Sequence, residues 1–165
     1  DNNNAQKEYY ITDIPYHIIK AGGRIGVYMI QNPDETQGIN SRSDLSIVTR
    51  TLLQNTREQH MDNGVTLIDP QNTYISLDVS IGKDTIIYPG TNIQGETIIG
   101  QNCIIGPNSH IISSSIGDNT IVETSKLDRA SIGNNCKIGP FSIVGENGYI
   151  HDNTVVPSFT EIKNV

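Results

Sequence analysis

Ile75 to Ile105 read ISLDVSIGKDTIIYPGTNIQGETIIGQNCII, and this run decides the architecture. Ile75, Ile81, Ile87, Ile93, Ile99 and Ile105 stand six apart, and Ile111 continues the series. A step of five reaches Ile116, a six Val122, and two fives Leu127 and Ile132. Sixes then give Ile138, Val144, Ile150, Val156 and Ile162. All 16 positions are Ile, Val or Leu, whereas those residues fill 26 of the 91 positions from 75 to 165, so random placement would fill fewer than a third. A period of six is neither the helical repeat nor the plain alternation of a strand. It fits short strands joined by tight bends and wound into a solenoid. A twisted antiparallel sheet would show clearer alternation and hairpin turns.

The neighbours of each aliphatic repeat as well. Gly follows it at Gly82, Gly100, Gly106, Gly117, Gly133, Gly139 and Gly145. Four residues after it the side chain is usually small: Thr85, Thr91, Thr97, Cys103, Ser109, Ser115, Thr120, Ser131, Cys136, Ser142, Thr154 and Thr160. A small residue there lets the wall turn without crowding the axis. Pro89, Pro107 and Pro140 fix φ in turns.

Composition sets the outer bounds. At 165 residues the chain holds one or two small domains. A net charge of −7, with Lys and Arg scattered, repels polyanions and speaks against nucleic-acid binding. No run approaches the length of a membrane-crossing helix. The start, Asp1-Asn2-Asn3-Asn4, lacks both Met and a signal-peptide core, so the chain reads as an excerpt of something longer. Cys103 and Cys136 fall six hexapeptides apart, on one face with Thr120 between them. That separates them by about 10 Å, beyond disulfide reach. Two reduced, buried thiols fit a cytoplasmic location.

Ahead of the repeat, Asp13 is placed to cap a short helix with Pro15 in its first turn, running through Lys20 to Gly22-Gly23. Arg24 to Ile30 alternates as a strand, and residues 31–40 read as a loop. Ser41-Arg42-Ser43-Asp44 matches a capping box that opens a helix with Leu45, Val48 and Leu52 as its apolar stripe. Asn63-Gly64 ends it.

The order NNNAQKEYYITDI, GGRIGVYMI, GINSR, a helix, then NGVTLIDPQNTYI feeding hexapeptides resembles the bacterial bifunctional UDP-N-acetylglucosamine pyrophosphorylase / glucosamine-1-phosphate N-acetyltransferase family, over nearly the whole chain. The resemblance covers that family's middle portion. It implies a mainly β fold: a left-handed parallel β-helix of about five coils, preceded by a helical linker and a small α/β remnant of a nucleotidyltransferase domain. The implied boundaries are 1–40 for the remnant, 41–64 for the linker helix and 65–165 for the β-helix.

The resemblance also assigns residues. Asn40 matches an Asn that helps hold the catalytic Mg²⁺ and touches the nucleotide-sugar; read alone, it is equally a helix cap. Glu8, Tyr10 and Thr12 match a motif bordering the sugar pocket, with Lys7 standing where the family carries Gly. Lys163, in Phe159-Thr160-Glu161-Ile162-Lys163, matches a Lys that contacts the sugar phosphate; read alone, it is an outward, solvated Lys. The family's R-x-R pair becomes Ile143 and Gly145, which removes a sugar-binding Arg and speaks against acetyl transfer. No catalytic residue is assigned within the chain. His17, His60, His110 and His151 have no zinc-site spacing and read as surface residues, the last two at bends.

The implied parent makes UDP-N-acetylglucosamine from UTP and N-acetylglucosamine-1-phosphate, with Mg²⁺ as cofactor and acetyl-CoA as a further co-substrate. The chain alone is expected to turn over neither reaction. The other class of reading is a non-catalytic trimerisation scaffold, since β-helix modules of this kind assemble as homotrimers.

Overall fold

The computed structural model describes residues 5, 7, 9–31, 36 and 38–163. The chain divides into two units, Asp1–Gly38 and Ile39–Val165. In the first, a 3₁₀ turn at Ile11–Asp13 runs into α1 (Ile14–Lys20), with Pro15 at its start. Asp13 makes no side-chain cap; its backbone (φ −80°, ψ −17°) already belongs to the preceding turn rather than to the extended cap geometry. Gly22, at φ +80°, closes the helix, and the Gly23 N–H donates to the Ile18 carbonyl at 2.9 Å. Arg24 to Ile30, expected as a strand, pairs with no described strand, and Val27, Tyr28 and Met29 are each at least 84% exposed. Alternation marks a segment that could lie on a sheet; without a neighbour its peptide groups have no ladder to join.

The second unit begins with α2 (Arg42–Asp62). Ser41 caps it in extended geometry, and its Oγ accepts from the Asp44 N–H at 3.1 Å. The return limb of the box lands one residue early: Asp44 Oδ2 accepts from the Asn40 N–H at 3.1 Å. The expected apolar stripe does not bury the helix, because Leu45 and Leu52 are 43% and 45% exposed. Thr56 and Arg57 are the buried pair instead. The helix meets the solenoid through its C-terminal half, where Arg57 Nη1 donates to the Thr73 carbonyl at 3.3 Å. Asn63 and Gly64 (φ +92°) end it, as the sequence predicts.

Beyond α2 the chain winds into a parallel β-solenoid in which each strand pairs with the strand three places later. Sheet A stacks β1 (Thr66–Leu67), β4 (Ile86–Ile87), β7 (Ile104–Ile105), β10 (Ile121–Val122), β13 (Lys137–Ile138) and β16 (Val155–Val156). Sheet B stacks β2 (Tyr74–Ile75), β5 (Asn92–Gln94), β8 (His110–Ile112), β11 (Lys126–Asp128), β14 (Ile143–Val144) and β17 (Glu161–Ile162). Sheet C stacks β3 (Ser80–Ile81), β6 (Ile98–Ile99), β9 (Ser115–Ile116), β12 (Ser131–Ile132) and β15 (Tyr149–Ile150). Three sides per coil and about five coils meet the sequence expectation.

All 16 aliphatics of the period lie in one core cluster, with Ile162 only partly buried at its end. The buried small residue sits two positions before each aliphatic. Where steps are six, this coincides with four after the previous one. At the steps of five it does not: Ser115, Lys126 and Ser131 point outward, and Ser114, Ser125 and Ala130 are buried in their place. These small residues link coils. Thr85 Oγ1 accepts from the Cys103 N–H at 3.0 Å, and Thr120 Oγ1 from the Cys136 N–H at 3.1 Å. One bend column uses the left-handed backbone region at Asp84, Asn102, Asn119, Asn135 and Asn153, with φ of 54–61°. Asn and Asp tolerate that region best after Gly. The glycine column before it is set by contact with the next coil. A Cβ on Gly117 would lie 2.7 Å from the Gly133 carbonyl carbon and 2.8 Å from the Asn134 nitrogen.

Gly117→Ala is therefore expected to lower stability by about 1–3 kcal/mol, as overpacking against backbone does. Gly145→Ala, whose Cβ meets nothing closer than 3.5 Å, should stay near wild type. Urea midpoints of the two variants, measured side by side, check the contrast.

Candidate functional site

Sheet B carries the polar outer face. Its strands project Tyr74, Asn92, His110, Lys126, Ile143 and Glu161 in register, one residue before each core aliphatic. One position after the aliphatic come Asp128, Gly145 and Lys163 on the last coils. Lys163 follows β17 with its side chain 66% exposed, and its Nζ pairs with the Glu161 carboxylate. A pair so open to water is weak and readily exchanged for another anion. Gly145 stands beside it in the neighbouring coil: its N–H donates to the Ile162 carbonyl at 2.9 Å. An added Cβ there would touch Lys163 Cγ at 3.5 Å, an ordinary contact. The cations one coil earlier are already matched. Lys126 and Arg129 both reach Asp128, at 3.7 and 3.3 Å, and Arg129 also reaches Glu146 at 3.2 Å.

Asn40 lies directly before α2, and Ser41 rather than Asn40 is the cap. Its backbone N–H is held by Asp44, whose carboxyl sits below the ordinary carboxylate range because the Ser41 side chain and the Asn40 amide favour its charged form. Among the described residues no group of three His, Cys, Asp or Glu converges as a metal site. Asn40 and Asp44 alone do not provide the oxygen set that Mg²⁺ requires.

Tyr10 precedes the 3₁₀ turn and lines a cavity of about 330 Å³ with Tyr9, Ile11, Asp13, Ile14 and His17. Thr12 sits in the turn and is exposed, outside that lining. Glu8 lies outside the described residues. Lys7, where the related motif has Gly, holds φ +53°.

His110 is not at a bend but within β8, with its Nε2 sealed from water and unpartnered among the described residues; the same is true of Asn92 Oδ1. His60 is half-buried, and burial lowers its pKa. His151 is exposed and packs edge-on against Tyr149 at 4.7 Å. Both cysteines are free and buried. Burial pushes the Cys103 thiol up, away from thiolate chemistry. No helix among the described residues is long and apolar enough to cross a membrane.

Comparison with known proteins agrees with the coil pattern. The family described as Bacterial transferase hexapeptide (six repeats) matches residues 78–113 and 129–164. The solenoid is thus a hexapeptide-repeat domain of the transferase type. A bifunctional protein GlmU of Clostridium kluyveri is 47% identical over 162 residues, covering 98% of this chain and 35% of the relative. One from Clostridioides difficile is 42% identical over 164 residues, covering 99% and 36%. The chain belongs to the GlmU family and spans about a third of the length of the curated relatives it matches. Among solved structures, the acetyltransferase domain of PglB from Neisseria gonorrhoeae, in complex with acetyl coenzyme A, matches at TM-score 0.41 and 12% identity, over 64% of this chain and 63% of that one.

The Asp44 geometry has a pH signature. Its folded pKa is lowered, so its contribution to the α2 start is complete above the ordinary carboxylate range and is lost as pH falls through the folded value. Amide NMR shifts of Asn40 and Asp44 should move together over that acid window, and Asp44→Asn should abolish the movement.

Proposed function

We propose that residues 1–40 and 41–64 are the trailing part and linker helix of a sugar-1-phosphate uridylyltransferase, and that residues 65–165 open an acetyltransferase-type β-helix. The observation that carries this reading is the unbroken match to bifunctional GlmU proteins, which runs through both units into the solenoid. In the first reaction the phosphate oxygen of N-acetylglucosamine-1-phosphate attacks the α-phosphorus of UTP, pyrophosphate leaves, and UDP-N-acetylglucosamine forms. In the second, the amine of glucosamine-1-phosphate attacks the thioester carbon of acetyl-CoA. The C–N bond forms, the C–S bond breaks, and CoA leaves as the thiol with the amine's proton.

This chain's own contribution to the second reaction is sugar-phosphate recognition by Lys163. Its exchangeable pairing with Glu161 supports that role, and the absence of a second cation at Gly145 predicts weak binding. Titration of the chain with glucosamine-1-phosphate, followed by NMR, should perturb Lys163 and its neighbours on β14 and β17. Lys163→Ala should remove the response. Gly145→Arg should tighten binding by about tenfold or more, the worth of a charge-assisted pair. Perturbations unchanged by Lys163→Ala would sink the assignment. Neither pyrophosphate nor CoA release above blank is expected from the chain alone.

A second observation favours assembly as well. Sheet A presents an apolar outer stripe over its first four strands: Ile68, Tyr88 and Ile104 are 37–53% exposed, with Ile86 and Ile121 beside them; Lys137 follows in register, and Val155, 67% exposed, lies beyond it. We assign this face to contact between copies in a homotrimer, because threefold packing would cover it while leaving polar sheet B accessible. Light scattering should give the mass of three chains. Ile104→Lys, at the middle of the stripe, should give one. A monomeric wild-type chain would exclude the assignment.

A further inference from the structure

Arg57 is 8% exposed, yet among the described residues its guanidinium has one hydrogen-bond partner, the Thr73 carbonyl. The four ion pairs among the described residues all lie elsewhere. Nearby acids are committed to other groups. Asp69 caps the short turn at Pro70–Asn72, accepting from the Gln71 and Asn72 N–H groups and the Asn72 amide. Glu58 accepts from Gln54. A buried arginine without a carboxylate is uncommon, since an uncompensated buried charge costs several kcal/mol. The remaining guanidinium N–H groups are not among the sealed, unpartnered atoms, so they face open space.

That space is a cavity of about 260 Å³ between α2 and the first two coils, lined by Arg57, Gln71, Asn72, Asn92 and the Gly90–Thr91 backbone, with Leu53 and Tyr74 at its sides. No acidic residue among those described lines it. Asn92 lines the cavity as well. Its Oδ1 is sealed without a partner, while its Nδ2 has no acceptor among the described residues and is not sealed. The cavity therefore offers a fixed cation and a neutral amide donor, and no carboxylate among its lining residues.

We propose that this cavity binds a small oxyanion, a phosphate or carboxylate group, held by the Arg57 fork and the Asn92 amide. Planar guanidinium suits two-point contact with such oxygens. An anion here would tie α2 to both of the first two coils, because Arg57 belongs to the helix, Asn72 precedes β2 and Asn92 lies on β5. The site is separate from Lys163, which lies on the last coil of the same sheet, and does not rest on the acyl-transfer reading.

The test is titration of the 165-residue chain with inorganic phosphate and, separately, acetate, with ionic strength held constant by chloride. Saturable shifts of the Arg57 Nε–H and Asn92 Nδ2 signals are expected, with a rise in Tm that follows the same saturation curve. Arg57→Gln should weaken binding by about tenfold or more. Asn92→Asp places the absent carboxylate in the cavity and should abolish the response while the chain remains folded. A stronger response to phosphate points to a phosphate-bearing ligand, and a stronger response to acetate to a carboxylate. No saturable response to either anion, or a response unchanged in both variants, overturns the proposal.

Discussion

The structure depends on returning one aliphatic side chain to the axis at every side of every coil. Each strand is only two or three residues long and, standing alone, would bury nothing useful. Stacked in register, Ile75, Ile93, Ile111, Leu127 and Val144 lie over one another along sheet B, each fully buried. The two other sheets repeat this. Contacts run almost wholly between adjacent coils, so stability accumulates coil by coil rather than from one central core. The glycine column and the left-handed Asn column are consequences of the same constraint. Neighbouring coils must approach closely at the bends, and each bend must turn the chain onto the next side without adding volume.

That constraint makes the solenoid readable from residues alone. A side chain fixed on an axis cannot vary in kind, so the period survives in the sequence even where the coil length changes. The small-residue column is harder to place, because its origin is ambiguous. Counting forward from the previous aliphatic selects Ser115 and Ser131, whereas packing counts back from the next one and selects Ser114 and Ala130. The difference shows only where a step is five, because six hides it.

The region before the repeat is legible in its local chemistry and less so in its packing. Ser41 and Asn63-Gly64 bound α2 because caps are decided by the few residues that make them. The buried side of α2 depends on where the helix meets the coil. Burial falls on Thr56 and Arg57 rather than on Leu45 and Leu52, and no periodicity predicts an arginine there. The Arg24 to Ile30 alternation announces a strand that needs a neighbour the described residues do not provide. Among the site residues, Asn40 and Lys163 are identifiable only through resemblance, since each is an ordinary exposed polar residue by composition.

Because the interior is the same on all three sides, the outer positions are free to differ, and they divide the solenoid by chemistry. Sheet A carries mostly aliphatics outward, with Lys137 late in the column; sheet C presents Ser80, Ser115 and Ser131 with Ile98 and Tyr149; and sheet B collects Asn92, His110, Lys126, Asp128 and Lys163. Core packing requires none of these outward choices. A polar residue on sheet B is solvated without penalty, so charge alone is weak evidence of a site. Atoms that lose water without gaining a partner are more informative. Asn92 Oδ1 and His110 Nε2 are such atoms, on residues adjacent in register on sheet B. Burying a polar group unpaired costs roughly 1–3 kcal/mol, a loss the repeat could have avoided with the Ile found at the equivalent outward position of β14. Asn92 lines the α2 cavity, and His110 follows it one coil on, toward the middle of the sheet. The unexplained polarity of this face therefore falls in the half of sheet B nearer the helix, not in the half that carries Lys163.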